Sequence, residues 1–386
     1  MEFMYSIPTK VAFGKGQIAK LPEFVAEFGK NVLLVYGGGS IKKIGIYDEI
    51  YSLLGKDRVN IVELSGVEPN PRVTTVNKGV KLCRDNNIDV ILAVGGGSTI
   101  DCSKAVAAGY YYDGDVWDII SKGLTVTKAL PIISILTLSA TGSEMDMMAV
   151  ISNDDTQDKL AFGAEAVIPK YSILDPTYTY SVPKYQTASG TADIMSHIFE
   201  VYLNGNKPLD IQKSMMESIL KTCIKYGPVA CEEPANEEAR ANLMWASSWA
   251  INGFISYGVE SPWPCHSMEH QLSAYYNVTH GHGLAILTPV WMRYILNEDT
   301  MPRFVDYGKN VFGIDSSLPD KEIAELAIEK TKEVFDKMGL ADTFKSIGIA
   351  DDTHFEEMAE KACWGLDNCN PPLLKEDILK IYESCK

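Results

Sequence analysis

The sequence predicts a two-part α/β protein: an N-terminal dinucleotide-binding domain on a Rossmann-like parallel sheet, followed by an all-α metal-binding domain. Three observations carry this prediction. Apolar runs ending in glycine alternate with helical patterns over the first half of the chain. Beyond Pro183 these give way to long helical patterns with almost no strand character. Five of the six histidines fall between His197 and His282, inside the helical part. The predicted domains are residues 1–183 and 184–386, and two domains suit a chain of 386 residues.

The elements follow in order. NVLLVY (31–36) is a short apolar run that ends in Gly37-Gly38-Gly39-Ser40, and VNIVEL (59–64) is a second strand. The helical stretch RVTTVNKGVKLCRDNN leads to a third strand, IDVILAV (88–94), which ends in Gly95-Gly96-Gly97-Ser98. TIDCSKAVAAGYY reads as a helix, and PIISIL (131–136) and YSILD (171–175) as further strands. Unbroken apolar runs, rather than alternating ones, indicate a parallel sheet covered on both faces. In the second half LDIQKSMMESILKTCIKY, NEEARANLMWASSWAI, GLAILTPVWMRYIL and KEIAELAIEKTKEVFDKMG carry helical periodicity. No repeat, low-complexity segment or long linker separates the halves, which predicts tight packing with a cleft between them.

Composition narrows the function. A net charge of −16 argues against nucleic acid as a partner and disfavours anionic membrane surfaces. No apolar run approaches the ~20 residues that span a bilayer. The first residues, MEFMYSIPTK, lack the basic-then-apolar pattern of a signal peptide. Eight cysteines stand singly with no CxxC pair, as expected of reduced thiols in a cytoplasmic protein. A small molecule is the expected substrate.

Both GGGS segments follow an apolar strand. Glycine lets the backbone turn sharply and approach a ligand, and the N–H groups opening the helix after Ser98 suit a phosphate. Neither loop matches GxGxxG with an acid about 20 residues on. One such loop equally well describes a plain strand-to-helix turn; two in one domain favour phosphate binding. TLSATGSE (137–144) adds Thr137, Thr141 and Ser143 after a later strand, as hydrogen-bond donors or as turn chemistry.

The histidines carry the chemistry. Asp193 and His197 are four apart, His266 and His270 are four apart, and His280 and His282 follow. Residues four apart share a helix face, so two such pairs and a third histidine are able to surround one divalent ion. Imidazole and carboxylate suit Fe2+, Zn2+ or Mn2+. A lone histidine on an amphipathic helix is more often structural, but five with an aspartate at this spacing are not alike to that case. Spacing does not select four ligands among the six candidates, nor does it choose between hydride transfer, cyclisation and hydrolysis.

The chain resembles the iron-containing (group III) alcohol dehydrogenases over essentially its whole length. The matching segments are TKVAFGKG, GGGSTIDCSK, TLSATGSE, LDPTYTYSVP, GTADIMSHIFE and CHSMEH with HGHG. YGGGSIKKIG, TLSATGSE and DKLAF are similar to the branch of NADPH-dependent butanol dehydrogenases and aldehyde reductases. The resemblance implies a dehydroquinate synthase-like architecture and hydride transfer between NADP(H) and short-chain aliphatic aldehydes or primary alcohols. It implies a metal, Fe2+ or Zn2+, held by Asp193, His197, His266 and His280. His270 matches a histidine that lines the cleft without ligating, a proton-relay position, while His282 takes a second-shell or surface place by default.

The resemblance also places the cofactor. Its pyrophosphate is expected against Gly95, Gly96, Gly97 and Ser98, with Asp101 near it and Lys104 more loosely so. Thr137, Leu138, Thr141 and Ser143 are expected to line the adenine and nicotinamide pocket, and Lys159 to reach the ribose and phosphates. Gly37, Gly38, Gly39 and Ser40 are expected beside the adenosine ribose. NAD-preferring relatives carry an aspartate at the position of Gly38, so the resemblance implies NADP(H) here. Asp146 departs from the asparagine that related reductases can carry near the nicotinamide. Family membership further implies a homodimer in which the N-terminal strand, within YSIPTKVAFG, pairs across the subunits. Two alternatives stand beside this reading: a metal-dependent lyase of the dehydroquinate synthase type, and a non-enzymatic metal-binding protein. A lyase for a polyanionic substrate needs basic residues, which the segments around Asp193 and His266 lack apart from Lys184. A binding protein leaves the two glycine loops unexplained.

Overall fold

A computed structural model describes residues 2–203, 209–259, 262–340 and 343–386. The chain divides into two units, one of Ser6–Val182 and one of Pro183–Lys386 together with the N-terminal residues up to Tyr5.

The first unit contains strands β1 (Lys10–Phe13), β2 (Asn31–Tyr36), β3 (Asn60–Ser65), β4 (Val90–Gly95), β5 (Ile132–Leu136), β6 (Met148–Asn153), β7 (Asp158–Gly163) and β8 (Tyr171–Leu174). Interleaved with them are helices α1 (Leu21–Ala26), α2 (Ser40–Lys43), α3 (Ile46–Gly55), α4 (Val73–Asp85), α5 (Gly97–Gly109) and α6 (Val116–Ser121). Six strands form one parallel sheet in the order β1-β8-β5-β4-β2-β3. Burial follows from that order. Every residue of β4 and β5 is buried, whereas the edge strands β1 and β3 carry exposed residues. This is why the central strands read as unbroken apolar runs.

One feature differs from expectation. β6 and β7 form an antiparallel hairpin that no sequence pattern announced. Its strands are six residues each and only partly buried, and residues 154–157 form the turn between them. The Lys10–Phe13 stretch pairs in parallel with β8 of its own chain and stands at one end of the sheet order.

The second unit is helical, with no strand among its described residues: α7 (Lys184–Tyr202), α8 (Asp210–Glu232), α9 (Glu237–Trp249), α10 (Pro264–Tyr276), α11 (His280–Ile295), α12 (Met301–Phe312), α13 (Asp320–Met338), α14 (Phe355–Ala362) and α15 (Lys375–Ser384). Helix α7 runs through the core, buried continuously from Thr187 to Tyr202. Its small residues, Ala188 to Ala192, let α11 come close: a Cβ at Gly281 would lie 1.9 Å from the Ser189 carbonyl oxygen. That approach sets His280, one residue earlier, against the middle of α7. None of the described helices is long and apolar enough to cross a membrane.

Candidate functional site

Four of the six candidate ligands converge inside the helical unit. Asp193 and His197 lie one turn apart on α7, His266 sits in the first turn of α10, and His280 opens α11. Asp193 Oδ1 is 3.5 Å from His197 Nε2, 3.6 Å from His266 Nε2 and 3.5 Å from His280 Nε2. The His197 and His266 rings stack with centroids 4.9 Å apart, and the His266 and His280 rings are 5.1 Å apart.

Asp193 and His197 are buried, His266 and His280 half-buried, and the polar atoms of the cluster are not all satisfied from within. Asp193 is 2% exposed and His197 5%. Asp193 Oδ1 and His266 Nε2 are buried without a hydrogen-bond partner. Orphaned buried polar atoms cost on the order of 1–3 kcal/mol each, more when charged. One oxygen with three imidazole nitrogens 3.5–3.6 Å from it fits a divalent cation, and the ligand atoms of Asp193, His266 and His280 lie within 4.8 Å of one another. Burial would raise the Asp193 carboxyl, but His197, His280 and His266 outweigh it and hold it well below the usual carboxylate range. Burial pushes His197 down to about 3 against the pull of Asp193, so its imidazole is neutral, as a ligand must be.

Two glutamates back this cluster that sequence reasoning did not single out. Glu200 of α7 accepts the backbone N–H of His266 at 3.1 Å through Oε1 and bonds His266 Nδ1 through Oε2. Burial alone would lower His266, but Glu200 and then Asp193 raise it to about 10. Glu269 of α10 bonds His280 Nδ1 and accepts the Ser273 hydroxyl. A usable signal was present: each glutamate sits three residues after a candidate ligand, in His197-Ile198-Phe199-Glu200 and His266-Ser267-Met268-Glu269.

The remaining histidines separate clearly. The His270 ring is 6.3 Å from that of His266 and 5.6 Å from that of His280, beside the cluster. His282 points elsewhere; it is buried, with Nδ1 2.8 Å from the Tyr185 hydroxyl, so a surface place is ruled out. Cys265, next to His266, is a buried thiol pushed well above its ordinary value by burial. Trp263 lies edge-on to His197 and His266, with centroids 5.9 and 5.4 Å away. Its backbone is left-handed, φ 54°, unusual for so large a side chain.

In the α/β unit, strand register brings the three candidate loops to one edge of the sheet. Tyr36 pairs with Val94, and Gly95 with Leu136. Gly37–Ser40, Gly95–Ser98 and Thr137–Ser143 therefore all leave the carboxyl ends of neighbouring strands. β2 has β3 on one side and β4 on the other, and such a switch point is where open α/β sheets take ligands. No side chain caps the start of α5, which leaves its N-terminal turn suited to an anion.

The glycines differ in what they do. A Cβ at Gly95 would lie 2.4 Å from Thr99 Oγ1, one at Gly97 2.3 Å from Thr141 Oγ1, and one at Gly96 3.2 Å from the Leu138 Cβ. Gly96 and Gly97 are glycine because the loops after β4 and β5 pack on each other, and Gly95 because Thr99 of α5 lies against it. Gly38 meets open space. Ser143 donates to Asp101 at 2.6 Å, and the Val150 N–H donates to the other Asp101 oxygen at 3.0 Å. Asp101 thus braces the loop and the start of β6; burial pushes its carboxyl up to about 6, with Lys104 opposing. The departure at Asp146 has a structural reason. Lys104 is fully buried, ion-paired to Asp146 and donating to the Met148 carbonyl at 2.7 Å. An asparagine at 146 would remove that ion pair and leave Asp101 as the opposing carboxylate. Lys159 is buried on β7, opposite Ser152 of β6.

A donor set of one carboxylate and three imidazoles in one unit, with an α/β unit of nucleotide-binding type in the same chain, is the pattern of a metal-dependent enzyme of two-domain organisation. Comparison with known proteins sharpens this. The model of iron-containing alcohol dehydrogenases matches residues 8–176, and that of the C-terminal region of the same family matches residues 187–385. The chain belongs to the iron-containing alcohol dehydrogenase family. It is 55% identical over 386 residues to NADH-dependent butanol dehydrogenase A of Clostridium acetobutylicum, covering 99% of both chains. It is 39% identical to the NADPH-dependent aldehyde reductase YqhD of Escherichia coli, over 90% of this chain and 89% of the relative. The crystal structure of an NADH-dependent butanol dehydrogenase A from Thermotoga maritima superposes with a TM-score of 0.93 at 37% identity, covering 100% of this chain and 98% of that one.

Proposed function

We propose that the chain is a metal-dependent alcohol dehydrogenase and aldehyde reductase. It would transfer hydride between NADP(H) and short-chain aliphatic aldehydes or primary alcohols such as butanal and butanol. The observation that carries this reading is the buried Asp193 Oδ1, unpartnered and ringed by three imidazole Nε2 atoms. Relatives named for butanol dehydrogenase and aldehyde reductase activity support the substrate class. In this reading residues 1–183 hold the nicotinamide cofactor, and residues 184–386 hold Fe2+ or Zn2+ through Asp193, His197, His266 and His280.

When bound, the cation supplies Lewis acidity toward the substrate oxygen and the nicotinamide supplies or accepts hydride. The chain's own residues do the rest. The loop of Gly95, Gly96, Gly97 and Ser98 and the start of α5 receive the pyrophosphate through backbone N–H groups. Thr137, Leu138, Thr141 and Ser143 line the adjoining pocket, with Asp101 holding Ser143 in place, and Lys159 serves the ribose. The burial of the Asp193 cluster excludes water from the reacting oxygen. An imidazole nitrogen of His270 exchanges the substrate proton, and His270→Ala should retain a full equivalent of metal while losing rate. General acid–base groups contribute ~10²–10⁴-fold, and water standing in for the imidazole places the loss at the low end. Elemental analysis beside kcat checks this; metal lost with the ring would make His270 a ligand.

The reading as a whole is tested by rates on C2–C6 aldehydes and alcohols with NADPH and NADH, after reloading with Fe2+ or Zn2+. Butanal should be reduced with loss of absorbance at 340 nm. Absence of any such turnover across the series would overturn it.

A further inference from the structure

We propose that Glu200 and Glu269 are positioning residues that lock the outer nitrogens of His266 and His280, and that Glu269 thereby governs how tightly the site retains its ion. The inference rests on the assignment of a divalent cation to Asp193, His197, His266 and His280. Both glutamates are fully buried. Each serves a histidine of another helix rather than the one beside it in sequence. Glu200 of α7 reaches His266 of α10, and Glu269 of α10 reaches His280 of α11. With Nδ1 engaged by a carboxylate, Nε2 is the nitrogen of each ring turned toward Asp193, the one that would ligate.

Glu200 also accepts a backbone N–H in the first turn of α10, a helix whose N-cap residue, Trp263, supplies no side-chain cap of its own. It therefore ties ligand and helix end together. His197 has no such brace; its Nδ1 is buried without a partner. Asp193, Glu200 and Glu269 place three carboxylates in one buried cluster, an excess of negative charge that favours a doubly charged ion. The seat of Glu269 is itself built: a Cβ at Gly283 would lie 2.8 Å from Glu269 Cγ, so only glycine leaves room. Glu269 also belongs to a second set, with His270 and His280, whose ligand atoms fall within 4.8 Å of one another. The bond to His280 Nδ1 assigns Glu269 to bracing rather than to coordination.

The test uses the full-length protein, stripped and reloaded with Co2+, whose visible absorption reports ligand geometry. Affinity is measured by competition with a chelator. The wild type should bind one equivalent at the cluster. Glu269→Gln should also bind one equivalent, about 10–100-fold more weakly, with altered cobalt bands. Gly283→Ala keeps the charge but displaces the carboxylate, and should shift affinity and bands in the same direction by less. It carries the test if Glu269→Gln does not fold. Wild-type affinity and spectrum in the folded variants would overturn the proposal. A second wild-type equivalent lost in Glu269→Gln would also overturn it, by making Glu269 a ligand. A wild type that binds no cobalt would instead overturn the metal assignment on which the proposal stands.

Discussion

Stripping the divalent ion should abolish turnover, and Fe2+, Zn2+ or Mn2+ should restore it. Asp193, His197, His266 and His280 are the expected seat, because Asp193 Oδ1 and His266 Nε2 are buried and unsatisfied without a cation. Lewis-acid stabilisation of a developing alkoxide is worth several kcal/mol, which corresponds to at least ~10³-fold in rate. His266→Ala should lose both ion and activity, since it removes a ligand and leaves Glu200 buried without the imidazole it bonds. His282→Ala should keep its metal, because that ring is engaged by Tyr185. Elemental analysis alongside initial rates reads all three results. Full activity in a preparation shown to be free of metal would end the hypothesis.

What was legible in the sequence follows from physical range. The central strands could be read because burial on both faces demands an unbroken apolar run, and β2 matches NVLLVY residue for residue. The β6–β7 hairpin was not legible, since half-exposed strands of six residues impose only weak patterning. The histidine cluster was visible because helical spacing is a local property. The roles of Glu200 and Glu269 were not, although both lie in a His-x-x-Glu step. Helical spacing pairs each with its own histidine, whereas the fold gives each to a different helix. The same holds for Asp146. Its carboxylate answers Lys104, 42 residues earlier, and only packing reveals that this lysine is buried. Gly95, Gly96 and Gly97 were read as cofactor-facing. Packing against Thr99, Leu138 and Thr141 accounts for their lack of side chains independently of any ligand.

Gly38→Asp should cut the preference for NADPH over NADH by roughly 10–100-fold. The loop Gly37-Gly38-Gly39-Ser40 carries no acid. The Ser40 hydroxyl and backbone N–H groups are therefore available to a ribose 2′-phosphate, with Lys42 close by over the Tyr36 and Tyr47 rings. The carboxylate nearby in the sheet, Glu63, is engaged by the phenols of Tyr36, Tyr47 and Tyr51. On this chemistry the wild type is expected to prefer NADP(H); the relative named NADPH-dependent is 39% identical, whereas the relatives named NADH-dependent butanol dehydrogenases A and B are 55% and 56% identical. Position 38 suits the test because a side chain there meets open space. Its neighbours do not: a Cβ at Gly37 would lie 3.3 Å from the Val67 carbonyl oxygen, and Gly39 has φ +95°. An aspartate about 5 Å from a 2′-phosphate at an effective dielectric of ~20 is repelled by about 3 kcal/mol for unit charges. Solvent screening halves that at a loop, and the range of about 1.5–3 kcal/mol gives the stated shift. The measurement is kcat/KM for both cofactors in both proteins. A wild type that favours NADH, or an unchanged ratio in Gly38→Asp, would show that selection lies outside this loop.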